Sequence, residues 1–582
     1  MAPCKPHTLA YGLLALASLA AAYPASVERA TLLGRQEDAL DEYDYIIVGG
    51  GTAGLTVGDR LSEDGKYSVL AIEYGYLERD GYRPGRTTYN ITSQPSPELN
   101  NRTFNVGIGC IVGGSSAVNG QVFQRGTAGD YDIWGSSADP TPPGAGKISA
   151  ATSKGEPCSI CFVRSPGLAP NSPIAHKTKT KTLTAMHGGA GHPFQPAPED
   201  VAEAFNITYD LEGWGQDPDT RIHATYARGL APPSVSFWQY FAPSPGGPFP
   251  LYDAMKNFPG VDVPVDGANG QNGLYWFTTS MDPVTFNRSY ARTGHWDGLD
   301  RDNYELLPAT KVNKIVFDGD RAAGVQLHPA TSATTSASSR PARSGIGPRK
   351  LLKAADIEVK VDLPGVGSNF QDHHYIPGVR FTWGNDPEVP ELDLTTNLTG
   401  NGIALGAFLG LKAFSPDLFE DIASRYESQN PADFLPKGTD CTVVAGFLEC
   451  MLGGSPSCSP QNVHPVSRGT VTLNATDPEA EVIVDYRAAS NPVDIDIMVE
   501  AVKFFRRFIT TGDLAVVYHP VGTAAKMPRK WGGVVDEELL VYGVEGLSVV
   551  DASIMPTLVG STTSMTVYAI AEKAADLIKA RA

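Results

Sequence analysis

Three groups of residues in this chain have types and spacings that could do chemistry. The first is Gly49-x-Gly51-x-x-Gly54, answered further on by Glu73. In such a triplet the first glycine allows a tight turn, the second lets backbone approach a pyrophosphate, and the third lets a helix pack on the preceding strand. Unpaired N–H groups at the start of that helix would hold the phosphates. The carboxylate would accept hydrogen bonds from a ribose 2′-hydroxyl. This is the chemistry of dinucleotide binding. The second group is His519, set before Pro520. An imidazole with an ordinary pKa of about 6.5 suits proton abstraction near neutral pH, although a histidine beside a proline is, taken alone, more often structural. The third is Cys158-x-x-Cys161 with His187 and His192 downstream. The gap from Cys161 to His187 is too wide for a zinc finger, and no metal site is expected.

Positioning the glycines requires strands on either side. Tyr45 to Val48 is a short apolar, β-branched run that reads as a buried parallel strand, and a helical pattern through Leu55, Val57 and Leu61 follows. Tyr67 to Glu73 reads as a second strand that ends in the acid. Gly107 to Gly126 is a second run of small residues, including Gly113-Gly114 and Asn119-Gly120. So little side chain implies a backbone lying flat against a planar ligand, or a glycine-rich loop closing a sheet. His519 follows a β-rich run, Leu514 to Tyr518, and would be held at a strand end. Lys311 to Phe317 alternates like a strand. Asn491 opens an amphipathic helix as its capping residue.

At 582 residues the chain is too long for one core, so two or more domains are expected. Its net charge of −18 argues against nucleic acid and anionic membrane surfaces as partners. Lys5 followed by the apolar run Leu9 to Ala22, ending in three alanines, reads as a secretory signal too short to span a bilayer. Six Asn-x-Ser/Thr sequons, at Asn90, Asn101, Asn206, Asn287, Asn397 and Asn474, suit a glycosylated protein that is secreted, extracellular or held in the cell wall. Past the signal the cysteines are Cys110, Cys158, Cys161, Cys441, Cys450 and Cys458. They allow one or two disulfides, among them a pair drawn from Cys441, Cys450 and Cys458.

Several separated stretches resemble the glucose–methanol–choline (GMC) family of flavoprotein oxidoreductases. Gly107 to Gly126 is similar to the family's first signature almost position by position, and the glycine fingerprint belongs to the same family. Leu363-Pro-Gly-Val-Gly-Ser-Asn-Phe-Gln-Asp-His373, Pro465 to Gly469, Tyr518 to Thr523, Val549 to Pro556 and the helix Ala569 to Ile578 resemble further family segments. The resemblance spans about residues 42 to 578 and implies FAD as the nucleotide. It implies an α/β protein of two domains: a Rossmann-like FAD-binding domain and a substrate domain built on an antiparallel sheet with helices. Its divisions would be 1–22 signal, 42–135 first FAD-binding part, 136–195 atypical low-complexity insertion, 196–300 mixed region, 301–380 second FAD-binding part interrupted at 329–343, 381–515 substrate domain, and 516–582 closing FAD-binding part.

The resemblance also implies site residues. His519 would be the base that removes the alcohol proton while hydride goes to flavin N5. Where the family places a second histidine or asparagine, this chain has Thr562, whose hydroxyl can hydrogen-bond substrate but cannot act as a base at neutral pH. FAD would be held by Gly49, Gly51, Thr52, Ala53, Gly54, Glu73, Tyr74, Val112, Asn119, Gly120, Gln121, Val122, Val312, Asp551, Ala552 and Thr563. Asn119 to Val122 would lie along the ring, the Val312 backbone near adenine, and Asp551 and Ala552 near the ribityl–pyrophosphate region. The implied reaction is oxidation of a small-molecule alcohol, in secondary metabolism, with electrons passed to oxygen or another acceptor. Residues 135–195 and 329–343 depart from the family and read either as surface loops or as translated non-coding sequence. Two alternatives therefore stand beside the oxidoreductase: a hydroxynitrile lyase-type enzyme that carries flavin, and a catalytically defective member.

Overall fold

The run of β-branched residues, glycines and amphipathic helix becomes a parallel α/β unit. The computed structural model describes residues 30–78, 87–124, 126, 208–210, 222–225, 256, 261–267, 273–282, 285, 287–329, 340–376, 379–380, 405–428, 445–451, 457–508, 515–516, 520–559 and 563–581. In the parallel unit, β1 (Thr31–Leu32), β2 (Tyr45–Val48), β3 (Val69–Ile72) and β5 (Tyr304–Leu307) pair in the order β1-β5-β3-β2. The register sets Val48 beside Ile72 and Ile72 beside Leu307, so the strands end level at the glycine turn. Helix α1 (Thr52–Ser62) covers the sheet with Leu55, Val57 and Leu61 buried, as the spacing predicts.

One expectation is corrected here. β3 is buried throughout, but β2 is not the buried strand its apolar run suggests. It pairs on one side only, with β3, among the described residues. Its residues are half-buried and Ile46 is 37% exposed. An apolar tetrapeptide records a preference for a sheet; it does not record how many neighbours the strand will have.

A second sheet is antiparallel. Its strands are β4 (Gly273–Trp276), β10 (His374–Tyr375), β11 (Val379–Arg380), β12 (Leu405–Gly410), β13 (Ala445–Met451), β14 (Ser457–Asn462) and β17 (Ala515–Val516), ordered β17-β10-β14-β13-β12-β4 with β11 also on β14. Helix α3 (Phe419–Ser428) packs against helix α4 (Pro492–Phe508), which lies on β14. Asn491 caps α4 as expected: its Oδ1 accepts from Val493 N–H at 3.0 Å. The register puts Cys450 opposite Cys458 across β13 and β14.

Three further two-stranded pairings are described: the hairpin β6 (Thr310–Asp318) and β7 (Arg321–Pro329), the parallel pair β8 (Ile346–Gly347) and β9 (Val361–Asp362), and β15 (Thr470–Thr472) with β16 (Ile483–Asp485). The short helix α2 (Ala291–His295) and the C-terminal helix α5 (Thr563–Arg581) flank α1. One buried cluster joins Leu55 and Leu61 of α1, Leu306 of β5, Met565 and Ala574 of α5, and Trp276 and Leu409 of the antiparallel sheet. The two sheets thus share a core in one mixed α/β fold. No helix among the described residues is long and apolar enough to cross a membrane.

Candidate active site

The glycine turn between β2 and α1 shows why each position is glycine. Gly49 has φ +117°, a conformation L side chains rarely adopt. At Gly54 a Cβ would stand 1.8 Å from the Gly49 carbonyl oxygen and 3.3 Å from Ile47 of β2, so helix and strand could not meet. Gly51 precedes α1 and contributes no side-chain cap, so the first N–H groups of the helix have no side-chain acceptor from that position. Thr52 is half-buried and Ala53 buried at the helix start. Beyond β3, Glu73 is buried, and its carboxylate accepts from Gly50 N–H at 2.8 Å and Gly75 N–H at 2.6 Å. The acid therefore braces the glycine turn, a role that the ribose reading does not include. Two of a carboxylate's roughly four acceptor positions are taken by main chain. Tyr74 is buried and stacks on Tyr89, ring centroids 5.9 Å apart.

The second glycine run lies directly on the first. Gly113 N–H donates to the Gly50 carbonyl at 2.7 Å, and a Cβ on Gly114 would stand 2.7 Å from the Gly51 Cα. Gly109 and Gly113 are likewise pressed against protein, Gly113 against the Tyr290 ring. Most of these glycines serve chain-to-chain contact; of those the ring reading names, Gly120 is exposed with open space where a Cβ would be. Val112 is fully buried, and its N–H donates to the Tyr76 carbonyl at 3.2 Å. Gln121 is held at φ +64° by two bonds, its N–H donating to Asn119 Oδ1 at 3.0 Å and its Nε2 to the Ser280 carbonyl at 3.1 Å. Val122 bridges to Thr279 and packs on an aromatic trio, Tyr275, Phe277 and Phe408, from β4, the residues just after it and β12. The glycine-rich loop thus connects the nucleotide turn to the antiparallel sheet.

His519 and Thr562 lie outside the described residues, as do Cys158, Cys161, His187 and His192. The described chain nearest them is 515–516 and 520 onward for His519, and up to 559 and from 563 for Thr562; the Leu363–His373 stretch organises it. Gln371 and Val521 exchange backbone hydrogen bonds at 3.2 and 3.1 Å. Asn369, Gln371 and His373, spaced by two, all reach the segment before Thr562. Asn369 Nδ2 donates to the Pro556 carbonyl at 3.1 Å and Gln371 Nε2 to the same oxygen at 3.2 Å. Gln371 Oε1 accepts from Leu558 N–H at 3.3 Å, and His373 Nε2 donates to the Val559 carbonyl at 3.1 Å. A carbonyl only accepts, so that nitrogen carries a proton. Ala524 and Lys526 N–H donate to Ser553 and Ile554 carbonyls at 2.9 and 2.8 Å. The segments leading to both candidates are therefore laced together.

Asp551 is exposed and caps the short turn Ala552–Ile554, its Oδ1 accepting from Ser553 N–H at 2.8 Å; Ala552 is half-buried. Thr563 begins α5, which packs on that turn. Val312, on β6 itself, is buried beside Leu70 and Leu307. Cys110 lies near Glu73; burial, reinforced by that carboxylate, pushes its thiol up to about 12, so it stays a thiol at neutral pH. The sequence reading missed Arg288, Asn369 and Gln371, whose partners lie more than 150 residues away.

Comparison with known proteins follows the same map. Residues 43–187 match the N-terminal GMC oxidoreductase family pattern, and residues 465–517 and 511–571 match the C-terminal one. The dehydrogenase xptC of Emericella nidulans is 30% identical, the alignment covering 94% of this chain and 95% of the relative. An FAD-dependent oxidoreductase from Chaetomium thermophilum shares the fold with a TM-score of 0.74 at 27% identity, over 93% of this chain and 99% of that one. A fungal aryl-alcohol oxidase does so with a TM-score of 0.71 at 28% identity, over 93% and 100%.

Proposed function

The chain belongs to the GMC oxidoreductase family of FAD-dependent oxidoreductases, and from that premise we propose that it oxidises the CH–OH group of a small-molecule alcohol to a carbonyl. The observation that carries this reading is the seating of one glycine-rich loop on the other. Gly113 N–H bonds to the Gly50 carbonyl, and Gly114 lies so close to Gly51 that a Cβ on Gly114 would stand 2.7 Å from the Gly51 Cα and part the loops. That cradle fits FAD. In a Rossmann-like β2–α1–β3 unit, Gly49, Gly51, Thr52, Ala53 and Gly54 would hold the pyrophosphate. Glu73 and Tyr74 would face the ribose, the Val312 backbone the adenine, and Val112 and Asn119 to Val122 the ring. Asp551, Ala552 and Thr563 would complete the ribityl side.

Bound FAD would supply the hydride acceptor that the standard side chains do not provide. His519 takes the hydroxyl proton, and the Thr562 hydroxyl positions the substrate oxygen. The Asn369–Gln371–His373 bonds support this assignment, because they tie together the segments that lead to both residues. Electrons then pass to oxygen or another acceptor, and a place in secondary metabolism suits the reading. The N-terminal apolar run and the sequons support a secreted glycoprotein: Asn90, Asn101 and Asn287 are exposed, and Asn474 is half-buried.

The test is the visible spectrum of the purified chain, then anaerobic addition of alcohols. Bound flavin that bleaches with an alcohol supports an oxidoreductase; flavin that never bleaches while a cyanohydrin is cleaved would point to the lyase. His519→Ala should retain flavin and slow its reduction at least ~10²-fold, the scale of general-base catalysis. An unchanged rate would remove His519 from the mechanism.

A further inference from the structure

We propose that Arg288 is a positioning residue of the flavin site, turning the Asn119 carboxamide so that its NH2 group is presented to the ligand as a donor. This deepens the flavin reading above and rests on it. Arg288 is half-buried and lies three residues before α2. Its Nη1 donates to Asn119 Oδ1 at 2.7 Å and to the Ser116 carbonyl at 3.2 Å. The same Oδ1 accepts from Gln121 N–H at 3.0 Å. A guanidinium and a peptide N–H are both obligate donors, so the amide atom they share has to be oxygen. Asparagine oxygen and nitrogen are ordinarily interchangeable to the eye, and here the chemistry of the neighbours settles which is which.

The nitrogen is what remains. Asn119 is half-buried, its Nδ2 makes no hydrogen bond among the described residues, and the next residue, Gly120, borders open space. The turn that carries Asn119 cannot roll to reverse this. Gly113 N–H is bonded to Gly50, Ser116 Oγ donates to the Gly113 carbonyl at 2.6 Å, and Ala291 N–H donates to that Oγ at 3.2 Å. The 288–291 segment thus grips the turn through both backbone and side chain, while the nucleotide glycines hold its other side. A flavin ring carries carbonyl and ring-nitrogen acceptors along one edge, which an NH2 donor matches.

The experiment compares wild type, Asn119→Asp, Arg288→Met, Arg288→Lys and the double variant Arg288→Met/Asn119→Asp. Flavin dissociation constant, midpoint potential and apo-protein melting temperature are read for each. Aspartate keeps both internal bonds as acceptor and puts a charged oxygen, which cannot donate, in place of the outward NH2. Paired with Arg288, Asn119→Asp should melt no lower than wild type, bind FAD at least ~10-fold more weakly and lower its potential. Arg288→Met should lose FAD affinity by a similar factor, with Arg288→Lys recovering part of it. The double variant should lose less than the sum of the two single losses, because Arg288 acts through that side chain. An Asn119→Asp protein with wild-type affinity and potential, or additive losses in the double variant, would overturn the proposal. Should Arg288→Met fail to fold, Asn119→Asp and Arg288→Lys still decide it. A wild-type protein that takes up no FAD would instead sink the flavin reading itself.

Discussion

Asp494 is fully buried, and three donors converge on it: Val466 N–H at 2.7 Å, Ser467 N–H at 2.8 Å and Asn462 Nδ2 at 3.2 Å. His374 Nδ1 lies 3.9 Å away. Burial lowers the His374 pKa; the Asp494 charge opposes that shift and Arg468 adds to it. The folded protein therefore holds His374 neutral at a pH where the unfolded chain, near 6.5, begins to take up a proton. More protons on the unfolded state mean stability falls as pH falls, by up to about 1.4 kcal/mol per pH unit, from about 6.5 down to the folded pKa. Urea unfolding between pH 7 and 5 should show that slope, and His374→Gln should flatten it; equal slopes in both proteins would clear His374 of the effect. Nothing local in the sequence marks this pair, because His374 and Asp494 meet only through the sheet. Asn491 was legible for the opposite reason: it acts on backbone at the helix start that names it, whereas the bonds of Glu73 to Gly50 and Gly75 N–H were not in the ribose reading.

Among elements, those with a local cause were readable. The α1 pattern, the β3 acid and the cap on α4 appear where the residues put them, since turn geometry, helical period and capping are short-range. The one-sided pairing of β2 among the described residues was not readable, because which strands lie beside it is a fact of topology. The same holds for the Leu363–His373 stretch, which the sequence identifies by resemblance yet does not explain. Its Asn369, Gln371 and His373 alternate along an extended chain and take the place of a strand pairing with residues 556–559. Gln371 is the centre of this device, 2% exposed and bonded through both ends of its amide. Gln371→Leu should strand the Leu558 N–H and weaken the hold on Pro556, costing about 1–3 kcal/mol. With 520–523 and 556–559 freed from each other, flavin reduction by alcohol should slow roughly 10-fold while flavin stays bound. Urea titration and anaerobic stopped-flow absorbance check the two halves. Loss of flavin at an unchanged reduction rate would show that the stretch serves the cofactor rather than the catalytic segments.

At the scale of the whole chain, the proposed site needs residues near both ends of the sequence, and one buried ion cluster joins those ends. Arg60 on α1 pairs with Glu572 and, at 3.0 Å, with Asp576, both on α5. The side chains are 11%, 6% and 15% exposed, so water screens them little. Each helix begins at the proposed site: α1 directly after Gly51, and α5 directly after Thr562. Fixing one helix on the other therefore sets the distance from nucleotide to substrate side, a relation between residues 512 apart that no sequence window contains. Removing a single partner leaves buried charge uncompensated, which costs about 3–5 kcal/mol, whereas replacing the partners together is often nearly neutral. Arg60→Met should accordingly lower stability by about that amount. Arg60→Met/Glu572→Leu should recover a large part of it, with Asp576 left to reach solvent from the cluster's more exposed side. Recovered stability does not restore position, so the double variant should still bind FAD more weakly than wild type. Denaturant unfolding beside flavin titration separates the two effects. A double variant with wild-type stability and wild-type affinity would mean that apolar packing alone sets the α1–α5 spacing and that the charges are incidental to the site.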